Sequence, residues 1–267
     1  MSDLFAGTWT VITGASSGLG EEFARQIAGR GGNLVLTARS LDKLEALARE
    51  LGARGVEARA VRCDLAAEGG AAALGRAVDA LGLDIMHVIN NAGFGSAGPF
   101  AHAAAAREGE MVRVNCEALT VVSRHFLPRM LERGAGGIVH LASVASFQPT
   151  PYMATYAATK AFVLSLSLAL AEEARSRGVR VMALCPGPVP TGFQAAAGLS
   201  GIAGPLKVAT MSPQDTVSRA LDDYQAGRQL CVPGLLNRAM AMAAGVTPRR
   251  LLARITGQVM KMAGRTK

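Results

Sequence analysis

A tyrosine and a lysine that could move a proton stand four residues apart, at Tyr156 and Lys160. On a helix this spacing places both side chains on one face, separated by one turn. A phenol titrates near pH ~10 when unperturbed, and a nearby ammonium favours its ionised form. Such a pair can exchange a proton with a substrate near neutral pH. The same spacing also occurs in ordinary surface pairs, so the neighbouring sequence has to decide between the two interpretations.

Two further polar residues stand where they could serve the same reaction. Ser143 precedes Tyr156 by 13 residues and follows a predicted strand at residues 137–141. No histidine or acid stands directly beside it, so a hydrolase nucleophile is not indicated. Asn115 lies in an apolar helical region from about residue 104 to 129, where its amide needs hydrogen bonds to offset desolvation. Satisfying the backbone of a neighbouring helix is an alternative role for Asn115.

The elements that must position these side chains follow an alternating pattern. Apolar strand-like runs and helical periodicities alternate at ~25-residue intervals, which is typical of βαβ units around a parallel sheet. Right-handed crossovers place the carboxyl ends of the strands at one edge of such a sheet, where ligands bind. We therefore expect a doubly wound α/β domain with strands at residues 9–13, 33–37, 57–62, 85–89, 137–141, 180–185 and 229–232.

The first predicted strand runs into a glycine-rich turn, Gly14–Gly20, and then into a helix. This layout aims backbone N–H groups and a helix N-terminus at a phosphate. Glycine suits the turn because a side chain would block a pyrophosphate or demand a forbidden φ. The spacing Gly-x-x-x-Gly-x-Gly differs from the commoner GxGxxG fingerprint, and a plain strand-to-helix turn is the alternative.

Polar residues follow the next three strands at the same edge. Arg39 follows the second strand at a position where an acid binds a ribose 2′-hydroxyl and an arginine accommodates a 2′-phosphate. This residue favours NADP over NAD, and a solvated arginine that opens a loop is the alternative. Asp64 follows the third strand and Asn91 the fourth, so both would project toward the same ligand.

The net charge of +8 belongs to the end of the chain. All 20 acidic residues lie at or before Asp223, whereas eight of the 28 basic residues lie beyond it. The other basic residues balance the acids, so the main body is neutral. Nucleic-acid binding by that body is therefore not indicated.

Length and composition place the chain among cytoplasmic globular proteins. With 267 residues, half of them apolar, it can form one large α/β domain. No apolar run reaches the ~18 residues of a membrane span, and the first residues lack the features of a signal peptide. Four scattered cysteines fit reduced thiols, and four histidines have no metal-ligand spacing. Neither a disulfide framework nor a metal site is predicted.

Taken in order, these motifs resemble those of the short-chain dehydrogenase/reductase family. The resemblance covers Thr8 to about Val232, and no member of the family's catalytic set is missing. Each motif is modest alone, but their ordered conjunction is specific. The motifs are Thr13-Gly14-Ala15-Ser16-Ser17-Gly18-Leu19-Gly20, Asp64, Asn90-Asn91-Ala92-Gly93, Asn115, Ser143, Tyr156-Ala157-Ala158-Thr159-Lys160 and Pro186-Gly187.

The resemblance implies a role for each member of the catalytic set. Tyr156 would be the general acid in carbonyl reduction or the base in alcohol oxidation, and Ser143 would hydrogen-bond the substrate oxygen. Lys160 would lower the pKa of the phenol and hold the nicotinamide ribose. Asn115 would anchor a water chain that returns protons from solvent.

The family also implies NADP(H) as the cofactor, the strand order 3-2-1-4-5-6-7, and a homo-oligomer built through the helices after the fourth and fifth strands. Besides Tyr156 and Lys160, the residues that would bind the cofactor are Gly14, Ser16, Ser17, Gly18 and Leu19 at the pyrophosphate, Arg39 at the 2′-phosphate, Asp64 and Leu65 at the adenine, Asn91, Ala92 and Gly93 at the adenosine and ribose, and Pro186 and Gly187 beside the nicotinamide.

Residues 1–232 are thus expected to form an NADP-binding Rossmann domain that interconverts a ketone and a secondary alcohol. The alternatives are an NADP-binding redox sensor and a membrane- or partner-binding protein, both without turnover. The pocket for a small-molecule substrate would be formed by Phe94–Phe100, Ser146–Met153 and the segment Thr191–Met211, whose small residues are typical of a mobile lid. These segments suit substrates from short ketones to acyl chains or steroids.

Residues 233–267 are expected to form a basic amphipathic helical extension. Thr247-Pro248 is typical of an N-cap followed by proline at the first helical position. Such a helix can make peripheral contact with an anionic membrane, and packing on its own domain or on a sister subunit is the alternative. The apolar stripe consists of Leu251, Leu252, Ile255, Val259 and Met262, with Arg250, Arg254 and Lys261 to one side.

Overall fold

Seven parallel strands form the centre of the computed structural model, which describes residues 3–198 and 209–263. Their order across the sheet is β3-β2-β1-β4-β5-β6-β7, so the predicted doubly wound Rossmann sheet is confirmed. The strands are β1 Trp9–Thr13, β2 Asn33–Ala38, β3 Ala58–Arg62, β4 Ile85–Asn90, β5 Gly137–Leu141, β6 Arg180–Leu184 and β7 Leu230–Cys231.

Helices flank both faces of this sheet, and most of them begin and end close to the predicted positions. Short 3-10 turns at Phe100–His102 and Val144–Phe147 complete the connections. The helices are α1 Gly18–Gly29, α2 Leu41–Gly52, α3 Gly70–Asp79, α4 Ala105–Val112, α5 Leu119–Arg133, α6 Ala154–Arg175, α7 Phe193–Ala196, α8 Pro213–Gln225, α9 Leu235–Val246 and α10 Arg249–Ala263.

Both faces of the sheet are buried, which explains why its strands are nearly continuous apolar runs. Successive residues of a strand point to opposite faces. Ile12 therefore packs in one core with Phe23 and Leu44, which come from α1 and α2. Val11 packs in the other core with Phe126 of α5. The parallel pairing of β1 with β2 and β4 brings the carboxyl ends of these strands to one edge.

A buried polar cluster, the interior network, links β4, β5, α5 and α6. The Nε2 atom of His140 lies 2.8 Å from Ser123 Oγ, and its Nδ1 atom lies 2.8 Å from Ser167 Oγ. The amide of Asn90 donates to Ser123 Oγ at 3.0 Å. Burial lowers the pKa of His140 to about 3, so the ring is neutral at pH 7. His140 thus has the structural role that its lack of metal-ligand spacing suggested.

The chain departs from the predicted elements at two places. The helical region predicted from residue 104 to 129 is divided by a π turn, Arg113–Ala118, between α4 and α5. Insertions of this kind re-aim side chains and are frequent at functional sites. In addition, the helical extension predicted for residues 233–267 forms two helices, α9 and α10, and sequence reasoning placed the start of only the second, at Thr247-Pro248.

One helix of the described residues, α6, is long and apolar enough to span a membrane by length and composition. It is also the helix that carries Tyr156 and Lys160, and 44 % of its most apolar stretch is buried within the protein. Core helices of globular domains pass the same test, and α6 contributes Val163, Ala171 and Ala174 to the cores beside the sheet.

The C-terminal helices pack beside the predicted substrate pocket. The hydroxyl of Thr256 on α10 donates to Pro149 O at 2.8 Å, and Met260 packs against a cluster that contains Met153 and Tyr156. The expected packing of the extension on its own domain is therefore present for one side of α10. Of the predicted lid Thr191–Met211, α7 is seen, whereas residues 199–208 lie outside the described residues.

Candidate active site

Tyr156 and Ser143 meet at the carboxyl end of β5. Tyr156 lies in the first turn of α6, is only 9 % exposed, and hydrogen-bonds the Ser143 side chain. Ser143 opens the 3-10 turn that follows β5, where its Oγ atom accepts from Ala145 N at 3.1 Å. Its own N–H donates to Ser146 Oγ at 3.2 Å, which completes a capping box. The local turn therefore fixes the serine hydroxyl beside the phenol.

Lys160 follows one turn later on the same face of α6. Its Nζ atom donates to Leu141 O at 2.6 Å and lies 5.8 Å from the centroid of the Tyr156 ring. A Cβ atom at Gly93 would lie 3.5 Å from this Nζ and 2.9 Å from Asn115 Oδ1. The structure therefore brings the lysine, the tyrosine and the loop after β4 together, as the spacing predicted.

Asn115 is placed by the π turn, and its amide is fully hydrogen-bonded. Its Nδ2 atom donates to Phe94 O and to Thr159 Oγ1, both at 3.0 Å. Its Oδ1 atom accepts from Phe94 N at 3.1 Å. These bonds offset the desolvation of the amide. They tie the loop after β4 to α6, one residue before Lys160.

Burial shifts the two titratable groups of the site toward each other. It raises the pKa of Tyr156 to about 12, and the hydrogen bond with Ser143 acts in the opposite direction. It lowers the pKa of Lys160 to about 8. The sequence predicted that the ammonium would lower the pKa of the phenol; in this arrangement removal from water outweighs the nearby charge. Tyr156 is therefore a proton donor at neutral pH, and Lys160 remains mostly charged.

The glycine-rich turn has the conformation that its sequence predicted. Gly14 adopts a φ of 68°, which favours glycine, and a Cβ atom there would lie 2.9 Å from Asn91 Nδ2. Ser17 caps α1 without a side-chain hydrogen bond to the helix. The hydroxyl of Ser17 and the first N–H groups of α1 are thus directed toward the same edge as the catalytic cluster, where an anion can bind.

The side chain of Asn91 hydrogen-bonds the backbone of this turn. Its Nδ2 atom donates to Thr13 O at 2.9 Å and to Gly14 O at 3.2 Å. The Thr13 hydroxyl in turn accepts from the backbone N–H groups of Asn91 and Ala92, at 3.0 and 2.9 Å. The side chain of Asn91 therefore holds the glycine turn, and only the backbone of this loop remains to face an adenosine.

Arg39 lies exposed just after β2 and makes no ion pair with any residue that the structure describes. The adjacent Ser40 caps α2 without a side-chain hydrogen bond to it. The register pairs Ala38 with Arg62 at the end of β3, so a second arginine stands at this corner of the sheet. Sequence reasoning missed Arg62, because the pairing register of two strands is not visible in either strand alone.

The two remaining predicted positions near the third strand are at the same edge. Asp64 is exposed, and its Oδ1 atom accepts from Ala66 N at 3.0 Å. Leu65 is half-buried and packs against the core that contains Val11. An exposed acid and a half-buried leucine at this edge are compatible with an adenine between them.

Pro186 and Gly187 follow β6, on the far side of the catalytic cluster. Pro186 O accepts from Val144 N at 3.0 Å, which joins this loop to the turn of Ser143. A Cβ atom at Gly187 would overlap the Asn237 amide. Asn237 is buried on α9 and donates to Pro233 O at 2.8 Å and Ala209 O at 3.1 Å. The C-terminal extension thus packs against the predicted nicotinamide loop through Asn237. No local sequence motif indicates this contact.

An apolar cluster surrounds Tyr156 beside the predicted substrate pocket. The ring of Phe193 on α7 lies 5.3 Å from the Tyr156 ring, centroid to centroid. Arg107 stacks 4.7 Å above Phe94 and donates to Ala196 O at 3.2 Å, so α4 holds α7 over the pocket. Sequence reasoning placed Phe94, Met153 and the segment of Phe193 here but missed the two methionines that distant elements contribute. The lining residues are Phe94, Ala97, Met111, Ala145, Met153, Phe193 and Met260.

Comparison with known proteins agrees with this geometry. The family model described as short chain dehydrogenase matches residues 8–199. A very-long-chain 3-oxoacyl-CoA reductase of Neurospora crassa is 40 % identical over 179 residues, which are 66 % of this chain and 54 % of that protein. The chain spans about half the length of the curated relatives it matches.

Solved structures give the same result with nearly complete coverage. A short-chain dehydrogenase from Sphingobium yanoikuyae in complex with NADPH is 32 % identical, with a TM-score of 0.79 over 91 % of this chain and 97 % of that one. A short-chain dehydrogenase/reductase from Burkholderia phymatum in complex with NAD is 30 % identical, with a TM-score of 0.79 over 90 % and 93 % of the two chains. The chain belongs to the short-chain dehydrogenase/reductase family of oxidoreductases.

Proposed function

We propose that this oxidoreductase uses NADP(H) to interconvert a ketone and a secondary alcohol, with Tyr156 as the general acid or base. The observation that carries the proposal is the hydrogen-bonded pair of Ser143 and Tyr156 inside an apolar cluster, with the Lys160 ammonium 5.8 Å from the phenol ring. Two hydroxyl donors and a cation around one position stabilise the negative charge that develops on a carbonyl oxygen.

The residues at the sheet edge fit a dinucleotide. Gly14 and Gly18 have the positive φ angles of a tight turn before α1, and Ser17 has no helix partner for its hydroxyl. Gly14, Ser16, Ser17, Gly18 and Leu19 would hold the pyrophosphate. The bound nicotinamide supplies the hydride. Gly187 and Pro186 would lie beside it, and Asn237 would keep their loop in place.

The chain's own residues handle the proton. In the direction of reduction, Tyr156 donates its phenolic proton to the carbonyl oxygen, and Ser143 hydrogen-bonds the same oxygen. Lys160 stabilises the phenolate that Tyr156 becomes. Asn115 keeps Lys160 in position through Thr159, and we place the return of a proton from solvent beside this contact. The high pKa of Tyr156 keeps it protonated before each turnover.

We assign NADP rather than NAD because of the corner formed by Arg39, Ser40 and Arg62. Two arginines and a hydroxyl without a capping bond suit a 2′-phosphate, and no acid stands there to bind a 2′-hydroxyl. Related structures contain both cofactors: the Sphingobium yanoikuyae enzyme holds NADPH and the Burkholderia phymatum enzyme NAD. The preference therefore depends on these residues of the present chain.

The pocket favours a large apolar ketone. The apolar cluster around Tyr156 contains aromatic and methionine side chains, and methionine adapts to long, flexible ligands. The Neurospora crassa relative is named for very-long-chain 3-oxoacyl-CoA reduction. A 3-oxoacyl thioester with a long acyl chain is therefore the substrate class that we propose to test first.

The test is a steady-state assay of cofactor oxidation by the purified chain. It compares NADPH with NADH and, at saturating cofactor, 3-oxoacyl thioesters of increasing acyl length with short and bulky ketones. We expect NADPH to be preferred and kcat/KM to rise with acyl length. Ser143→Ala should lower kcat by about 10² or more, because it removes one donor to the developing oxyanion. Equal use of NADH would contradict the NADP assignment, and turnover of short ketones alone would contradict the substrate class.

A further inference from the structure

The helix α9 presents an apolar line to solvent. Leu235, Met242 and Val246 are 84, 75 and 86 % exposed. A step of about 100° per residue places all three along one line of the helix. The opposite side carries Asn237 and Ala244, and both are buried. The helix is thus turned with its apolar line outward and a polar residue inward.

The helix α10 likewise has apolar residues on the side that faces away from the domain. The side that contacts the domain contains the buried Leu252, the Thr256 hydroxyl bonded to Pro149, and Met260. Only one edge of the predicted apolar stripe faces the protein. The residues toward its other edge point away from the domain and are 48 to 58 % exposed; they are Leu251, Ile255 and Met262.

Basic side chains flank these apolar lines. On α10 Arg250, Arg254 and Lys261 lie about 100° around the helix from the exposed apolar residues. Arg249 lies instead beside Pro149 and Pro151 of the domain. On α9 Arg238 lies beside the line of Leu235. None makes an ion pair with a residue in the described ranges 3–198 and 209–263, and no acid follows Asp223 in the chain. The basic side chains of the two helices are Arg238, Arg249, Arg250, Arg254 and Lys261.

We propose that this outer face of α9 and α10 binds the surface of an anionic lipid bilayer. Apolar side chains would enter the boundary between headgroups and acyl chains, and the basic side chains would contact lipid phosphates. The two helices have 12 and 15 residues, fewer than the ~20 of a membrane span, so they lie in the plane of the surface.

The positive charge of this face favours binding to an anionic bilayer over binding to a second copy of the chain. An isologous dimer through this face would bring together two sets of four basic side chains, Arg238, Arg250, Arg254 and Lys261, with no acid among them, and like charges oppose such contact. A bilayer with anionic headgroups offers the complementary charge, and each basic side chain near it strengthens binding about fivefold. The inference concerns this face alone and does not depend on the reaction proposed above.

Sedimentation of the full chain with vesicles tests the proposal. One set of vesicles contains phosphatidylcholine alone, and the other contains phosphatidylcholine mixed with phosphatidylglycerol. We expect binding to the mixed vesicles, much weaker binding to the neutral ones, and loss of binding as salt is raised. The triple variant Leu235→Glu/Met242→Glu/Val246→Glu should bind at least tenfold less, because it puts carboxylates in the apolar line.

A matched control separates this face from net charge. The variant Ala46→Glu/Ala73→Glu/Ala77→Glu adds the same three charges at exposed helix positions of the main domain, and it should bind more strongly than the α9 variant. Both variants should keep the wild-type melting temperature and NADPH oxidation in solution. This result would show that the α9 variant is folded. Its failure to sediment with vesicles would then be due to the changed outer face of α9.

Three results would overturn the proposal. The first is no binding of the wild-type chain to mixed vesicles, and the second is equal binding by the two triple variants. The third is a light-scattering experiment in which the wild-type chain self-associates, the α9 variant does not, and neither sediments with vesicles. That last result would assign the face to a second copy of the chain.

Discussion

Two buried polar clusters lie on the same pair of elements, β5 and α6. They differ in whether all of their polar side-chain atoms have hydrogen-bond partners within the protein. The catalytic cluster consists of Ser143, Tyr156 and Lys160 at the carboxyl end of β5. The interior network is centred on His140 and Ser167, one residue before Leu141 on the strand and two turns after Lys160 on the helix. Burial shifts pKa values in both, lowering that of Lys160 to about 8 and that of His140 to about 3.

The interior network satisfies itself, whereas the catalytic cluster faces a pocket. Both ring nitrogens of His140 have serine partners; because the ring is neutral, its one N–H donates to one serine hydroxyl and its other nitrogen accepts from the other. Tyr156 has only Ser143 as a hydrogen-bond partner among the described residues, and Met153, Phe193 and Met260 surround its ring. A shifted pKa therefore does not by itself mark a reactive group. An incomplete set of partners beside an apolar opening does.

The largest expected effect tests the catalytic side of this comparison. Tyr156→Phe should lower kcat by about 10³ or more, because it removes the proton donor and keeps the ring. Melting temperature and NADPH binding, followed by cofactor fluorescence, should change little, since the phenol is not needed for packing. Retention of more than about a tenth of the wild-type kcat would show that the tyrosine is not the acid, and would favour a proton supplied by water.

The next effect tests the interior network. His140→Leu should lower the free energy of unfolding by about 2 to 4 kcal/mol, because it leaves the buried hydroxyls of Ser123 and Ser167 without a ring partner. Denaturant midpoints measure this loss. kcat/KM should stay within about threefold at a temperature where the variant is folded. A variant that stays fully stable but loses activity would reverse the roles assigned to the two clusters.

The catalytic spacing could be predicted from the sequence because it is local. Tyr156 and Lys160 share one helix, and the apolar runs that became β1, β2, β4, β5 and β6 are mostly buried, so each run is visible by itself. Arg62 and Asn237 could not be predicted, since each matters through a partner far away in the chain. The placement of Asn115 depends on a π turn that periodicity does not show. The start of α9 within the predicted extension was not placed, because no side-chain cap marks it.

The interior network also predicts an acid dependence of stability. The pKa of His140 is about 3 in the folded protein against 6.5 for the free side chain, so below pH 6.5 the unfolded state binds a proton that the folded state does not. Stability therefore falls as pH falls, by about 2 kcal/mol between pH 7 and pH 5 for this group. Urea titrations at both pH values measure it. His140→Leu should lose correspondingly less, and an equal loss in both proteins would exclude His140 as the cause.

The kcat of the enzyme should fall at alkaline pH, where Lys160 of the catalytic cluster loses its proton. Lys160 is cationic below its pKa of about 8 and neutral above it, and the cation stabilises the phenolate formed during reduction. With saturating NADPH, kcat should be level below pH 8 and fall about tenfold for each further pH unit. A profile that stays level to pH 10 would remove Lys160 from that role.

The smallest expected effect extends the comparison to the surface, where Arg39 has no ion-pair partner among the described residues and Arg54 is paired with Glu50 at 2.8 Å. If a missing partner marks a position reserved for a ligand, Arg39→Ala should raise the KM for NADPH about tenfold and leave the KM for NADH unchanged, because only NADPH carries the 2′-phosphate. Arg54→Ala removes the same charge at the other end of α2 and should change neither the KM for NADPH nor the KM for NADH. Parallel increases for both cofactors in Arg39→Ala would instead mean that the arginine supports the loop, since a structural defect does not distinguish a phosphate from a hydroxyl.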